Sequence, residues 1–286
     1  MNKISIVKIM GGLGNQLFQY ALARSNTLYN GNDLYLDTTW YDNQKEREFQ
    51  LEQLNINAKI ADFDLIKNFM TKKNRFLSLL NKNHYKTVYE ENIFSYDEDI
   101  LYSKGNIYLS GYWQNEKYFL EKRGTILNDF QLKIELDDYN KKILKEINNS
   151  KSISVHIRRG DIAKDPRLKE RIGTIDLEYY RFAIKKISKD QDNLKFFIFS
   201  DDIDWAKNNL NFDYEHTFLK NNTAVIDLFL MSRCKFNITA NSSFSWWGAW
   251  LNNNSDKKII SPKFWYKDIQ LQNKAHELLP KSWIKI

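Results

Sequence analysis

Between Lys151 and Ser261 the chain alternates between two hydrophobic rhythms. Runs such as Ile153-Ser154-Val155-His156-Ile157 place an apolar residue at every second position, the period of a β-strand. Between such runs, apolar residues recur every three or four positions, the period of a helix. Together these rhythms predict a strand at 152–157, a helix near 176–189, a strand at 195–200 and a short helix from Asp202. A strand near 215–219, helix 224–233, strand 235–240, helix 243–252 and strand 257–261 follow. Strands alternating with helices at these lengths make a parallel, doubly wound sheet, so the fold class is α/β. In the first of these strands Ser154, His156 and Arg158 alternate with the apolar residues, which predicts one packed side and one side free for chemistry.

The first half is less regular. Ile4 to Met10 reads as a buried strand, Gly11-Gly12-Leu13-Gly14-Asn15-Gln16 as a turn, and Leu17, Ala21, Leu22 and Leu28 as one face of a helix. Strand, glycine-rich turn and helix open many nucleotide-binding units, because glycine lets the backbone approach a phosphate and a helix N-terminus presents free N–H groups. The dinucleotide fingerprint is incomplete: Leu17 stands where a third glycine belongs, and Asp33 or Asp37 gives weak support as the acidic residue. The same glycines also suit a plain tight turn. Residues 38–110 carry amphipathic segments around Phe49–Leu54 and Asp62–Leu80, read as helices and loops decorating a first lobe on the acceptor side. Ile107-Tyr108-Leu109 suggests a strand ending at Gly111-Tyr112-Trp113-Gln114. There Trp113 either stacks on an acceptor sugar or packs in the core, with Gln114 beside it. A polar helix from Asp138 to Asn149 is expected to join the lobes, giving domains 1–150 and 151–286.

A chain of 286 residues suits two similar lobes around a cleft, and 42% hydrophobic residues suffice for their cores. A net charge of +7 is compatible with nucleic acid, an anionic membrane surface or a phosphorylated small molecule. The lysines are scattered, with no arginine-rich run or nucleic-acid module, which argues against nucleic acid. The single cysteine, Cys234, is expected to be a buried small hydrophobe in a reducing compartment. No run approaches the ~18 apolar residues that span a bilayer. The chain also starts straight into a strand, so a cytoplasmic protein without a signal peptide is expected.

Candidate chemistry gathers at strand ends. His156, Arg158, Arg159 and Asp161 cluster where the strand 152–157 stops, and open α/β sheets bind ligands at their carboxyl ends. Two guanidiniums there suit an anion such as a phosphate, or else a structural salt-bridge network. Asp201 and Asp202 end the strand 195–200, where one carboxylate can cap the next helix and the other read a ligand. Asp202-Ile203-Asp204 also spells a metal-binding D-x-D, cheap in a first helical turn. Asp227 lies in an otherwise apolar run and therefore needs a donor partner, either within the protein or on a bound base. Asn241, Ser242 and Ser243 open a helix, where hydroxyls and N–H groups can hold a phosphate or simply cap.

As an ordered set, Gly-Gly-Leu-Gly-Asn-Gln-Leu-Phe-Gln-Tyr at 11–20, Gly-Tyr-Trp-Gln at 111–114, His-Ile-Arg-Arg-Gly-Asp at 156–161, Phe-Ser-Asp-Asp at 199–202 and Asn-Ser-Ser-Phe-Ser-Trp-Trp-Gly-Ala-Trp at 241–250 resemble the α-1,2-fucosyltransferases of glycosyltransferase family 11. The resemblance implies a GT-B-like fold of two Rossmann-type lobes and an inverting, metal-independent transfer of L-fucose from GDP-β-L-fucose to a galactose 2-hydroxyl. It implies no cofactor beyond that donor. Arg158 would then grip the pyrophosphate with help from His156, Ser242 or Ser243, and Asp227 would read guanine. Gly12, Gly14, Asn15, Gln16, Asp201, Asp202 and Asn241 complete the expected donor set, with Trp113 and Gln114 on the acceptor side. Asp161 is the candidate base, with Asp165 next. The expected acceptor is a galactose-terminated oligosaccharide, with a lipid-carried O-antigen or capsule repeat as the candidate, visited at the inner membrane face. A transferase of another GDP-sugar and a non-catalytic nucleotide or glycan binder are the competing readings.

Overall fold

The computed structural model describes residues 3–70, 86–91, 96–189, 191–210 and 213–286. Of the amphipathic stretch 62–80, residues 71–80 therefore lie outside the described residues. The chain divides into two compact units, Met1–Lys133 and Ile134–Ile286, each with its own parallel sheet.

In the first unit, strands β1 (Ile4–Lys8), β2 (Asp33–Asp37), β3 (Lys59–Ile60), β4 (Lys86–Glu90) and β5 (Asn106–Ser110) pair in the order β3-β2-β1-β5-β4. Helix Leu13–Asn30 connects β1 to β2 and buries Leu17, Phe18, Ala21 and Leu22. It stops at Gly31, whose left-handed φ of 70° lets its N–H close onto the Thr27 carbonyl at 2.8 Å. The strands β3 and β4 fall where only helices and loops were expected. Both are edge strands, and Ile60 and Val88 are exposed, so neither carries the apolar signature of a buried strand.

In the second unit, β6 (Lys151–Ile157), β7 (Leu194–Ser200), β8 (Glu215–Phe218), β9 (Phe236–Ile238), β10 (Ile259–Ser261) and β11 (Ile284–Lys285) pair in the order β8-β7-β6-β9-β10-β11. The chain runs outward from β6 to β8, crosses back to β9, and runs outward again. This is the doubly wound order whose reversal lies between β6 and β9. Helices Leu177–Ser188, Ile203–Asn209, Ala224–Arg233 and Ser243–Trp250 link the strands, capped by Asp176, Asp202, Thr223 and Ser242. Ile153, Val155 and Ile157 pack with Phe196, Ile198, Ala183 and Ile184 on one side of the sheet. Phe197 and Phe199 pack with Leu230, Met231, Ile143 and Ile147 on the other.

Two expectations change here. Helix Asp138–Asn148 supplies Ile143 and Ile147 to this second core, so the division falls at 133/134 instead of 150/151. The polar side of β6 is also not free: Ser152, Ser154 and His156 are at most 4% exposed. The Ser152 hydroxyl accepts the Lys235 N–H at 3.2 Å and that of Ser154 accepts from Asn237 Nδ2 at 2.7 Å. Hydrogen bonding makes that burial affordable. Cys234 is buried, and burial pushes its thiol pKa up, as a structural cysteine requires.

Candidate functional site

The switch point between β6 and β9 collects most of the expected cluster. In the register of the sheet Ile157 lies beside Ser200 and Val155 beside Ile238, so the segments leaving β6, β7 and β9 emerge side by side. Asp201, just past β7, organises the segment leaving β6. Its Oδ1 accepts the Arg159 N–H at 2.8 Å, and its Oδ2 lies 3.2 Å from Arg158 Nε. Gly160 is required by this approach, because a Cβ there would stand 2.6 Å from Asp201 Oδ2. The Arg159 guanidinium stacks over the Trp205 ring at 3.8 Å. Two guanidiniums are thus gathered at this corner, one beside the Asp201 carboxylate and one over an indole ring.

His156 contributes no charge to that corner. Burial, reinforced by the Arg158 charge, lowers its pKa to about 3, so the ring is neutral at physiological pH. It packs against Phe244 at 5.3 Å, and its Nδ1 is buried with no hydrogen-bond partner among the described residues. On the β9 side, Ser242 caps helix Ser243–Trp250 by accepting the Phe244 N–H at 3.3 Å. Half-buried Ser243 occupies the first turn. Asn241 is turned inward, its Nδ2 donating to the carbonyls of Gly173 at 3.0 Å and Trp265 at 3.2 Å. It acts as a clamp on the neighbouring loops.

Both carboxylates after β7 are engaged within the protein. Asp202 accepts the Trp205 N–H at 3.2 Å as the cap of Ile203–Asn209, and Asp204 is exposed in the first turn of that helix. Among the described residues no three His, Cys, Asp or Glu side chains gather to hold a metal. Asp161 lies in helix Gly160–Lys164, and its side chain lies outside what the structure describes. Asp165 caps Pro166–Arg171 and pairs with Arg167 at 3.1 Å, and those bonds hold its pKa below the usual carboxylate range. That makes it a weak base.

Asp227 lies on helix Ala224–Arg233, where Asn222 Nδ2 donates to it at 2.9 Å. Burial raises its pKa to about 6, partly offset by that bond. Below about pH 4 the group is protonated in folded and unfolded chains alike. Between about pH 4 and 6 only the unfolded chain releases the proton, so stability falls as pH rises, by roughly 2–3 kcal/mol in all. Asp227→Asn is expected to flatten this slope in urea midpoints measured from pH 4 to 7, and to be the more stable protein above pH 6.

The first unit holds the remaining candidates. Gly11 adopts φ 79°, and its carbonyl accepts from the Tyr41 hydroxyl at 2.8 Å. Gln16 is fully buried: its Nε2 donates to the Glu48 carbonyl at 2.8 Å and its Oε1 accepts the Gln50 N–H at 3.0 Å. Gln19 does the same between Met10 and Gly111. Gln16 and buried Gly14 therefore shape the turn and offer no surface to a donor, a correction to their expected role. Gly12 and Asn15 remain half-exposed, and Asn15 Oδ1 accepts from Gln114 Nε2 at 2.8 Å. Trp113 is 1% exposed and meets Tyr118 edge-on at 6.0 Å, so it serves the core and presents no face to a sugar. Its neighbour Tyr112 is exposed. Sequence reasoning missed Trp205, Phe244 and Gln19, whose only signal was proximity to a strand end or a signature motif.

Comparison with known proteins bears on this arrangement. The sequence profile described as Glycosyl transferase family 11 matches residues 5–286. The chain is 34% identical to an Escherichia coli alpha-1,2-colitosyltransferase over 296 residues, covering 99% of each. It is 32% identical to the Escherichia coli O-antigen biosynthesis glycosyltransferase WbnK, covering 97% of this chain and 99% of that one. Among solved structures, Arabidopsis thaliana FUT1 bound to GDP aligns with 92% of this chain and 71% of its own at a TM-score of 0.53 and 9% identity. POFUT1 bound to GDP aligns with 91% of this chain and 97% of its own at 0.50 and 14%. At these identities the structural likeness speaks for the GT-B-like fold alone.

Proposed function

Because the chain belongs to glycosyl transferase family 11, we propose that it is an inverting, metal-independent glycosyltransferase moving L-fucose from GDP-β-L-fucose to the 2-hydroxyl of a terminal galactose. The observation that carries this reading is the pair of guanidiniums at the switch point, where Arg158 and Arg159 leave β6 next to a buried imidazole nitrogen with no partner among the described residues, and a capped helix starts after β9. Breaking a sugar–phosphate bond leaves charge on the nucleoside diphosphate. Guanidinium and N–H donors fixed in place can meet that charge. Neutral His156 acts there through a hydrogen bond and adds no cation. Asp161 takes the acceptor proton.

Asp227 would read the donor N–H groups of guanine. A ligand that donates to this carboxylate favours its charged form, so GDP is expected to bind more tightly at pH 7 than at pH 5. In Asp227→Asn that difference should shrink, in a calorimetric titration, to the part owed to ionisation of GDP's own terminal phosphate. The first unit would carry the acceptor side, with an O-antigen or capsule repeat on a lipid carrier as acceptor. The WbnK relative supports this. The net charge of +7 favours contact with an anionic membrane surface, here the cytoplasmic face. Among the described residues no helix is long and apolar enough to cross a membrane.

One observation favours a second donor. Colitose is fucose without its 3-hydroxyl, and an alpha-1,2-colitosyltransferase is among the similar proteins. GDP release should therefore be assayed with GDP-fucose and GDP-colitose against a panel of galactosides, with and without a chelator. The expected result is galactoside-dependent release from GDP-fucose that the chelator does not change. Faster release from GDP-colitose would reassign the donor, and none from either would leave a binding protein.

A further inference from the structure

The first unit contains an open polar surface cavity of about 620 Å3, with Asn55, Asn57, Gly124 and Asn128 exposed at its rim, that the reading above does not use. Its floor is a fixed ion pair. Arg24 Nε donates to Asp129 Oδ2 at 2.8 Å, and the Tyr20 hydroxyl donates to the same oxygen at 2.7 Å. The Asn57 N–H in turn donates to the Tyr20 oxygen at 2.9 Å, which ties the segment bearing Asn55 and Asn57 to the floor. Asp129 is 4% exposed and the Arg24 side chain 16%, so neither can swing away into solvent. Both donors converge on Oδ2. Asp129 Oδ1 and the two terminal NH2 groups of Arg24 hydrogen-bond to none of the described residues.

The cavity floor thus offers a rigid acceptor and rigid donors side by side. Because the ion pair cancels its own charge, a net anion gains little there. A pair of neighbouring hydroxyls, one donating to Oδ1 and one accepting from the guanidinium, satisfies both. The walls add amides from Asn55, Asn57 and Asn128 and a hydroxyl from Thr125, again donors and acceptors without net charge. We propose that this cavity is a saccharide subsite that holds one pyranose of a glycan by paired hydroxyls. The choice of a glycan rests on the function proposed above, and the pairing of donors and acceptors does not.

Gly124 provides the test. It lines the cavity in helix Arg123–Asp129, is exposed, and a Cβ built there meets nothing within 4 Å, so Gly124→Tyr adds a bulky ring at the rim without a clash at its Cβ. Methyl β-D-galactoside, methyl α-D-glucoside and methyl N-acetyl-β-D-glucosaminide would be titrated into the whole protein by saturation-transfer NMR, with GDP saturating. At least one glycoside is expected to bind, and Gly124→Tyr should weaken it at least ~10-fold. Asn128→Ala, which removes one exposed amide, should weaken it less. GDP affinity should be the same in all three proteins. If no glycoside binds the parent, or if one binds parent and Gly124→Tyr alike, the cavity is not a saccharide subsite. A failed donor assignment would show instead in the GDP titration, leaving the glycoside result to stand or fall by itself.

Discussion

Arg158→Ala is expected to abolish transfer. The guanidinium leaves β6 at the switch point, and its Nε is fixed 3.2 Å from Asp201. A single charge-assisted contact contributes about 1.5–3 kcal/mol to binding, so GDP should bind roughly 10- to 150-fold more weakly in the variant. Turnover should fall further. Charge grows on the diphosphate as the glycosidic bond breaks, and a donor aimed at growing charge acts more strongly in the transition state than in the ground state. Arg158→Lys keeps the charge but loses the planar fork that lies beside Asp201 and can donate at several points, so it should rescue GDP binding more than kcat. Calorimetry with GDP and the GDP-release assay measure the two effects separately. Near-normal turnover by Arg158→Ala would place the diphosphate elsewhere.

Asp161→Asn should slow turnover by ~10²–10⁴-fold, the usual contribution of a general base. Two structural facts support giving it this role. Asp201 already supplies the carboxylate that orients Arg158 and the Arg159 backbone, a duty that would otherwise fall to Asp161. Asp165, the alternative, is committed to capping a helix and pairing with Arg167. GDP affinity should survive the substitution, because a base acts on the acceptor hydroxyl. A loss of less than tenfold in kcat, or a parallel loss of GDP binding, would make Asp161 a positioning residue for the arginines.

The second unit was far more legible than the first. From 177 to 250 every helix lies within a few residues of its expected position, because each opens on a polar cap: Asp176, Asp202, Thr223 or Ser242. What periodicity cannot show is whether a polar side is wet. Ser152 and Ser154 look like a solvent face, yet they are buried, Ser152 accepting from the Lys235 N–H just before the neighbouring strand β9 and Ser154 from Asn237 within it. The same blindness misplaced Gln16 and left Trp113 open between core and sugar. An aromatic or amide beside a signature glycine reads as a ligand contact, and only three-dimensional packing shows that Trp113 meets Tyr118 and that Gln16 joins two turns. The two-residue strand β11 was missed because nothing so short carries a rhythm. Gathering Arg158, Asp201 and Ser242 was legible in outline, since residues after parallel strands collect at one edge. That Asp201 holds the arginine segment was not.

The strand order also bears on how the chain is made. β6 lies at the middle of its sheet, but its second neighbour, β9, pairs Asn237 with Ser154 and cannot exist until that later segment has been synthesised. At ~5–20 residues per second the ribosome needs roughly 4–17 s to cover that distance. Throughout this interval one edge of β6, with its isoleucines and valine, has no partner. Nascent chains stalled shortly before β9 should therefore be the ones that chaperones capture and that aggregate on release, whereas chains extended past it should not.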